Sequence, residues 1–139
     1  MIKKITVVLS VLALTAFTIG ITYKDGHYRG VSRASYTNEP YYGFTRIDVK
    51  NGKIIHVDFF IRDSVKHEYF NQKYEKHFAG NPEYIQQCRN DWKGVRAYPD
   101  SLLKYQDVNK IDAISGATWS FNIFKASVKD ALSKAGSRP

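Results

Sequence analysis

The residues best suited to chemistry stand together in Ile111-Asp112-Ala113-Ile114-Ser115-Gly116-Ala117-Thr118-Trp119-Ser120. Three hydroxyls and a carboxylate surround the small pair Gly116-Ala117, directly ahead of an amphipathic stretch. A helix start leaves N–H groups without intrahelical partners, and a nearby hydroxyl can accept from them, so Ser115, Thr118 and Ser120 are candidate caps. The same N–H groups, with the helix dipole, attract anions. Gly116 and Ala117 keep the backbone bare enough for a phosphate to come close. Residue chemistry thus leads to a helix start able to hold a phosphate, and a plain capping sequence accounts for it equally well. It does not say whose phosphate.

Other reactive side chains give less. His27, His56, His67 and His77 show no paired metal spacing. Asp25, Asp48, Asp58 and Asp63 cannot be paired as acid and base from their positions alone. Cys88 is the single cysteine, which rules out an intramolecular disulfide and reads as a small buried hydrophobe. No Gly-x-Ser-x-Gly, P-loop or dinucleotide fingerprint occurs. Gly26-x-x-x-Gly30 belongs to a turn and a strand.

The elements that must position these groups form an α+β order. Tyr23 to Gly30 reads as a turn entering a strand over Tyr28 to Tyr36, with a second turn around Asn38-Glu39-Pro40. Asn51-Gly52 between the β-rich runs 43–49 and 54–61 is a strong hairpin signal, because a type I′ turn needs two left-handed residues. A two-residue loop would pair Val49 with Ile54 and Ile47 with His56. Phe44, Ile55, Val57 and Phe59 would then share the other face. Phe70, Tyr74 and Phe78 recur at helical spacing, with Gly80 as a stop. Asn81-Pro82 opens a second helix running to about Trp92. Around Pro99-Asp100-Ser101 a further turn of helix begins. Phe121, Phe124, Val128, Leu132 and Ala135 form the stripe of a final amphipathic helix. The aromatic spacing at 70–78 and the run Tyr41-Tyr42-Gly43 read as core before they read as ligand walls. The expectation is an N-terminal antiparallel sheet with helices packed on it and a C-terminal amphipathic helix.

Lys3 and Lys4 precede the uncharged apolar run 5–22, which is about 27 Å long as a helix. A basic head before such a core reads as a signal peptide or an N-terminal membrane anchor over 1–22. Residues 23–139 would then form one domain, exported to the periplasm or the outer face of the cytoplasmic membrane. Thr18-Ile19-Gly20 offers a cleavage site. The chain has 139 residues and a formal charge of +8, from 21 Lys+Arg against 13 Asp+Glu. The basic residues are scattered, which suits solubility or attraction to an anionic membrane surface rather than nucleic acid.

Asp112-Ala113-Ile114-Ser115-Gly116-Ala117-Thr118 resembles the Asp-x-x-Ser/Thr-Gly-Ala-Thr flavinylation motif of the FMN-binding domain family. That family includes the flavinylated domains of the sodium-translocating NADH:quinone reductase and of the Rnf complex. Tyr23 to Gly30, the turn Asn51-Gly52-Lys53-Ile54 and the helix over 126–135 are similar to the family's opening, hairpin and close. The resemblance implies FMN as cofactor, joined by a phosphoester to Thr118 and installed from FAD by a magnesium-dependent flavin transferase. Asp112, Ser115, Gly116 and Ala117 would be read by that transferase and surround the phosphate. Trp119 is bulkier than the family's usual residue; it either stacks on the flavin or packs the helix start, and packing is the preferred reading. The chain lacks the extra segments of the large respiratory proteins. The implied role is electron transfer between redox partner proteins at the membrane. Two rivals are a flavin-dependent reductase acting on a soluble substrate and a flavin-free exported interaction module.

Overall fold

The computed structural model describes residues 20–32 and 39–138. The run expected to be a leader, apart from its last three residues, and the segment expected to continue the first strand to Tyr36 both lie outside them.

The strands are β1 (Thr22–Tyr23), β2 (Gly26–Val31), β3 (Tyr41–Lys50), β4 (Lys53–Asp63), β5 (Glu68–Tyr69) and β6 (Ser137–Arg138). The helices are α1 (Pro82–Tyr105) and α2 (Thr118–Ser133). β2, β3, β4 and β5 form one antiparallel sheet in that order. β1 and β6 form a separate two-stranded ladder that pairs Thr22 with Arg138. The domain is α+β with a C-terminal helix, as the residue pattern implied.

Asn51 and Gly52 both take positive φ, 53° and 75°, and close the β3–β4 hairpin. Val49 pairs with Ile54, as a two-residue loop requires. Ile47, however, pairs with Val57 rather than His56, because a bulge shifts the register between Asp48 and Val49. The bulge changes which side chains face inward. Ile54, Val57, Phe59 and Ile61 are all buried with Ile47 and Val49, whereas Ile55 is turned out. A sequence reading with strict alternation misplaces Val57 and Phe59, since one inserted residue exchanges the faces.

Both long helices cover that inner face, α2 over β2 and β3 and α1 over β4. Close contact needs a bare backbone in β2: a Cβ on Gly30 would lie 1.9 Å from the Ser127 carbonyl oxygen. Phe121, Ile123, Phe124 and Val128 of α2 meet Phe59 and Tyr98 in the core, with Phe59 and Phe124 ring centres 5.0 Å apart. Removing one such ring costs about 3–5 kcal/mol.

Two helix expectations are revised. The 68–78 stretch is not one helix: β5 is followed by a 3-10 turn at Tyr74–Phe78. Helix α1 starts where Asn81-Pro82 predicts, with the Asn81 side chain accepting from the Tyr84 N–H at 3.2 Å. It then runs past Trp92 to Tyr105 with Pro99 inside it. A proline forfeits one hydrogen bond and strains the preceding turn, and burial of Val95, Tyr98 and Leu102 offsets that loss.

Candidate functional site

The motif is a short bridge laid across α1. Ile111 is buried and anchors its start, while Asp112, Ala113, Ile114, Ser115 and Gly116 are exposed. The Ala117 N–H donates to the Ile114 carbonyl at 2.9 Å, closing a turn in which Gly116 takes φ +80°. That φ suits the third position of a type II turn, where glycine is favoured. Space gives a second reason. A Cβ on Gly116 would stand 2.8 Å from Asn90 Nδ2.

Four residues of α1 hold the bridge from below. Tyr98, fully buried, donates its hydroxyl hydrogen to the Ala117 carbonyl at 2.8 Å and accepts from the Ile114 N–H at 3.1 Å. Gln87 Nε2 donates to the Gly116 carbonyl at 2.9 Å and to Asp91 Oδ2 at 2.6 Å. Asp91, buried, accepts at Oδ1 from the Ser120 N–H at 3.0 Å. Gly94 lets Ala117 sit close, since a Cβ there would lie 2.8 Å from the Ala117 Cβ. Sequence reading missed Gly94 and Tyr98 because it ended the helix near Trp92, and Gln87 and Asp91 because nothing in the chain says that this helix lies under the motif. Their spacing, 87, 91, 94 and 98, marks one helical face and was the available signal.

This arrangement revises the capping expectation. The cap position of α2 is Ala117, which has no side chain able to accept. Asp91 of α1 supplies the acceptor instead, so the cap is tertiary. Ser120 turns inward and donates to the Ala117 carbonyl at 3.1 Å. Thr118 is exposed at the first position of α2. Among the described residues no protein group accepts from the backbone N–H of Thr118 or Trp119. A hydroxyl thus stands beside two open donors at the positive end of a 16-residue helix.

Trp119, half-buried, lines a cleft of about 250 Å³. Its walls are aromatic: Tyr41, Phe70, Tyr74, Phe78, Tyr84 and Trp119. Tyr41 and Phe70 both meet the Trp119 ring edge-on at 5.1 Å, and Trp119 Nε1 donates to Glu39 at 2.8 Å. Trp119 therefore packs the helix start and lines a cavity at once. Tyr41 and the 70–78 aromatics, read first as core, share this double position. Tyr42 does not line the cleft, and Gly43 is buried under Ile123.

A larger groove of about 450 Å³ lies against α1 between Trp92 and Arg96 on one side and Asn71 to Glu75 on the other. It is cationic and its Arg89 is held by Glu75 through two hydrogen bonds, at 2.7 and 2.9 Å. Cys88 borders both spaces. Burial pushes its thiol pKa up, and the charges of Asp91 and Glu75 push it further. The thiol stays protonated at neutral pH and is a poor nucleophile. No group of acidic, histidine or cysteine side chains among the described residues is arranged to hold a metal ion.

An exposed hydroxyl at a helix start and an aromatic cleft one residue away suit a ligand with a phosphate at one end and a flat ring system at the other. Comparison with known proteins identifies that class. Residues 15–133 match the model of the FMN-binding domain, so the chain belongs to the FMN-binding domain family, and FMN is its cofactor. The fold is shared with the CPE2226 protein of Clostridium perfringens, known from a crystal structure. The two are 24% identical over 81% of this chain and 88% of that one, with a TM-score of 0.58. A Clostridium thermocellum protein known from a solution NMR structure is 20% identical over 81% of this chain and 92% of its own, with a TM-score of 0.45. No curated protein matches the chain significantly.

The residues present fit the cofactor. Asn90 packs against Gly116 where a Cβ would stand, while Gly116 and Thr118 are exposed to solvent, so the Thr118 hydroxyl can be reached by a phosphate. The cleft walls offer flat apolar faces of the kind that hold a planar ring.

Proposed function

We propose that this flavoprotein is an exported electron carrier whose FMN is esterified through its phosphate to the Thr118 hydroxyl. The observation that carries the reading is the exposed Thr118 side chain beside two open N–H groups at the start of α2. Attachment by a flavin transferase would break the pyrophosphate of FAD, form the Thr118 ester and release AMP. The hydroxyl proton is released in that exchange. The cleft beside Trp119 would hold the isoalloxazine ring.

Bound FMN supplies the ability to take up and release electrons singly or in pairs. The chain's own residues bind and orient it. The Thr118 and Trp119 N–H groups would donate to the phosphate, Gln87 and Tyr98 hold the bridge still, and Tyr41, Phe70 and Trp119 would exclude water from the ring. Covalent attachment suits a protein working outside the cytoplasm, where no pool of free cofactor would replace a lost one. The run 5–22 behind Lys3 and Lys4 supports export. Its fusion to a reporter active only outside the cytoplasm should give signal, lost when charged residues interrupt the run.

Co-expression with a flavin transferase should raise the intact mass by one FMN less one water. The increment should vanish in Thr118→Ala and persist in Ser115→Ala at reduced yield. A wild-type protein that remains at its unmodified mass refutes covalent attachment. Turnover of a small substrate by the loaded protein, without a redox partner, would favour a reductase instead.

A further inference from the structure

The aromatic cleft ends on a hydrogen-bonded chain that reaches into the core. The Tyr74 hydroxyl donates to Oδ2 of Asp63 at 2.5 Å, and the Tyr41 and Tyr74 hydroxyls lie 2.8 Å apart. Tyr74 and Asp63 are 1% and 2% exposed. Tyr41 is half-buried and stands in the cleft wall against Trp119. Oδ1 of Asp63 accepts from the backbone N–H groups of Val65 and Lys66, at 2.8 and 2.9 Å. Among the described residues no lysine, arginine or histidine forms an ion pair with Asp63.

The supply of donors fixes the direction of this chain. Burial works to raise the Asp63 pKa, but the bonds from Tyr74, Lys66 and Val65 prevail and hold it below the usual carboxylate value. An ionised carboxylate only accepts, so the Tyr74 proton is committed to it. The Tyr74 oxygen must then accept from Tyr41, which leaves Tyr41 with lone pairs alone to offer a ligand. The other carboxylates at the cleft are differently placed. Asp91 faces the positive end of α2 through the Ser120 N–H, and Glu39 is exposed to screening water. Asp63 is the buried charge: Lys66 favours its ionised form from a distance, but among the described residues no cation forms an ion pair with it and no helix end faces it.

We propose that Asp63, acting through Tyr74 and Tyr41, is a positioning residue that gives the cleft a fixed negative bias and lowers the reduction potential of the flavin held there. The inference rests on the placement of the flavin ring beside Trp119. Electrons added to that ring meet a poorly screened negative charge. They also meet a tyrosine oxygen that has no hydrogen left to donate.

The test compares wild type with Asp63→Asn, Tyr74→Phe and Tyr41→Phe, each loaded by co-expression with a flavin transferase. Each is equilibrated against a reference dye with dithionite above neutral pH, where dithionite is oxidised to sulfite as the flavin takes up two electrons and one proton and so gains one negative charge. Thermal unfolding of the flavin-free proteins is followed in parallel. At a fixed ambient potential the ratio of reduced to oxidised flavin should rise about tenfold in Asp63→Asn, the order of a charge–charge interaction at an effective permittivity of about 20. Smaller rises should follow in Tyr74→Phe and Tyr41→Phe, with little change in the unfolding of Tyr41→Phe. An unchanged ratio in loaded Asp63→Asn overturns the proposal. If that variant does not fold, unchanged ratios in both tyrosine variants overturn it. Failure of the attachment is separately visible as an unshifted wild-type mass, and the same titration is then made with FMN bound from solution.

Discussion

Gly116 and Tyr98 show how little freedom the motif has. Gly116→Ala forces a side chain into a left-handed conformation and against Asn90. It should cost about 1–2 kcal/mol in urea unfolding and reduce the flavin increment in the intact mass. Tyr98→Phe leaves the Ile114 N–H without its partner and takes one donor from the Ala117 carbonyl. Loss of about 1–3 kcal/mol is expected, with a protease-sensitive bridge. At this scale the sequence was readable where the residues are consecutive. Asp112 to Thr118 stand in one run, and Thr118 is where a hydroxyl would be reached from solvent. Trp119 was half readable: its packing followed from position, its place in a cleft did not. Gln87, Asp91 and Tyr98 act on the motif from 16 to 29 residues away in sequence, and nothing local to them indicates what they touch.

Helix α2 depends on α1 for its start. Asp91 accepts from the Ser120 N–H, so Asp91→Ala removes the cap of a helix other than its own. Stability should fall by about 2 kcal/mol, and amide exchange should quicken at the first turn of α2 before the rest of the helix. Gly94→Ala presses α1 against Ala117 and should act in the same direction. The elements themselves were legible where one strong local rule governs them. Asn51-Gly52 announces the hairpin and Asn81-Pro82 the start of α1. They were illegible where tertiary burial overrides a local rule. Pro99 reads as a boundary, yet Val95, Tyr98 and Leu102 carry the helix through it. The bulge next to Val49 has no signature residue, and its effect on Val57 and Phe59 emerges only once both strands are paired.

For the molecule as a whole, Asp63 and Tyr74 set opposite limits on the pH range of stability. The folded pKa of Asp63 is depressed, so its contribution is present above the ordinary carboxylate value of 3.8 and is lost as pH falls through the lower, folded value. Burial, with the bond donated to Asp63, raises the pKa of Tyr74 from 10.0. Its contribution is complete below 10.0 and disappears as pH climbs through the raised value. Urea midpoints should therefore stay level between these limits and drop on both sides, with the acid drop shallower in Asp63→Asn. The overall architecture was legible from the order of periodicities, but the ladder between β1 and β6 was not, because two-residue strands have no pattern to read. That ladder places Thr22 beside Arg138, and the Lys24 N–H also donates to the Ala135 carbonyl at 3.2 Å. The ends of the described residues thus lie side by side. A permuted isomer, spliced between these neighbours by a few flexible residues and reopened at the exposed Ala79–Gly80 step, would keep its sheet and both helices. It should refold, and any tether ahead of Thr22 would emerge at the same corner as a tag fused to the far end.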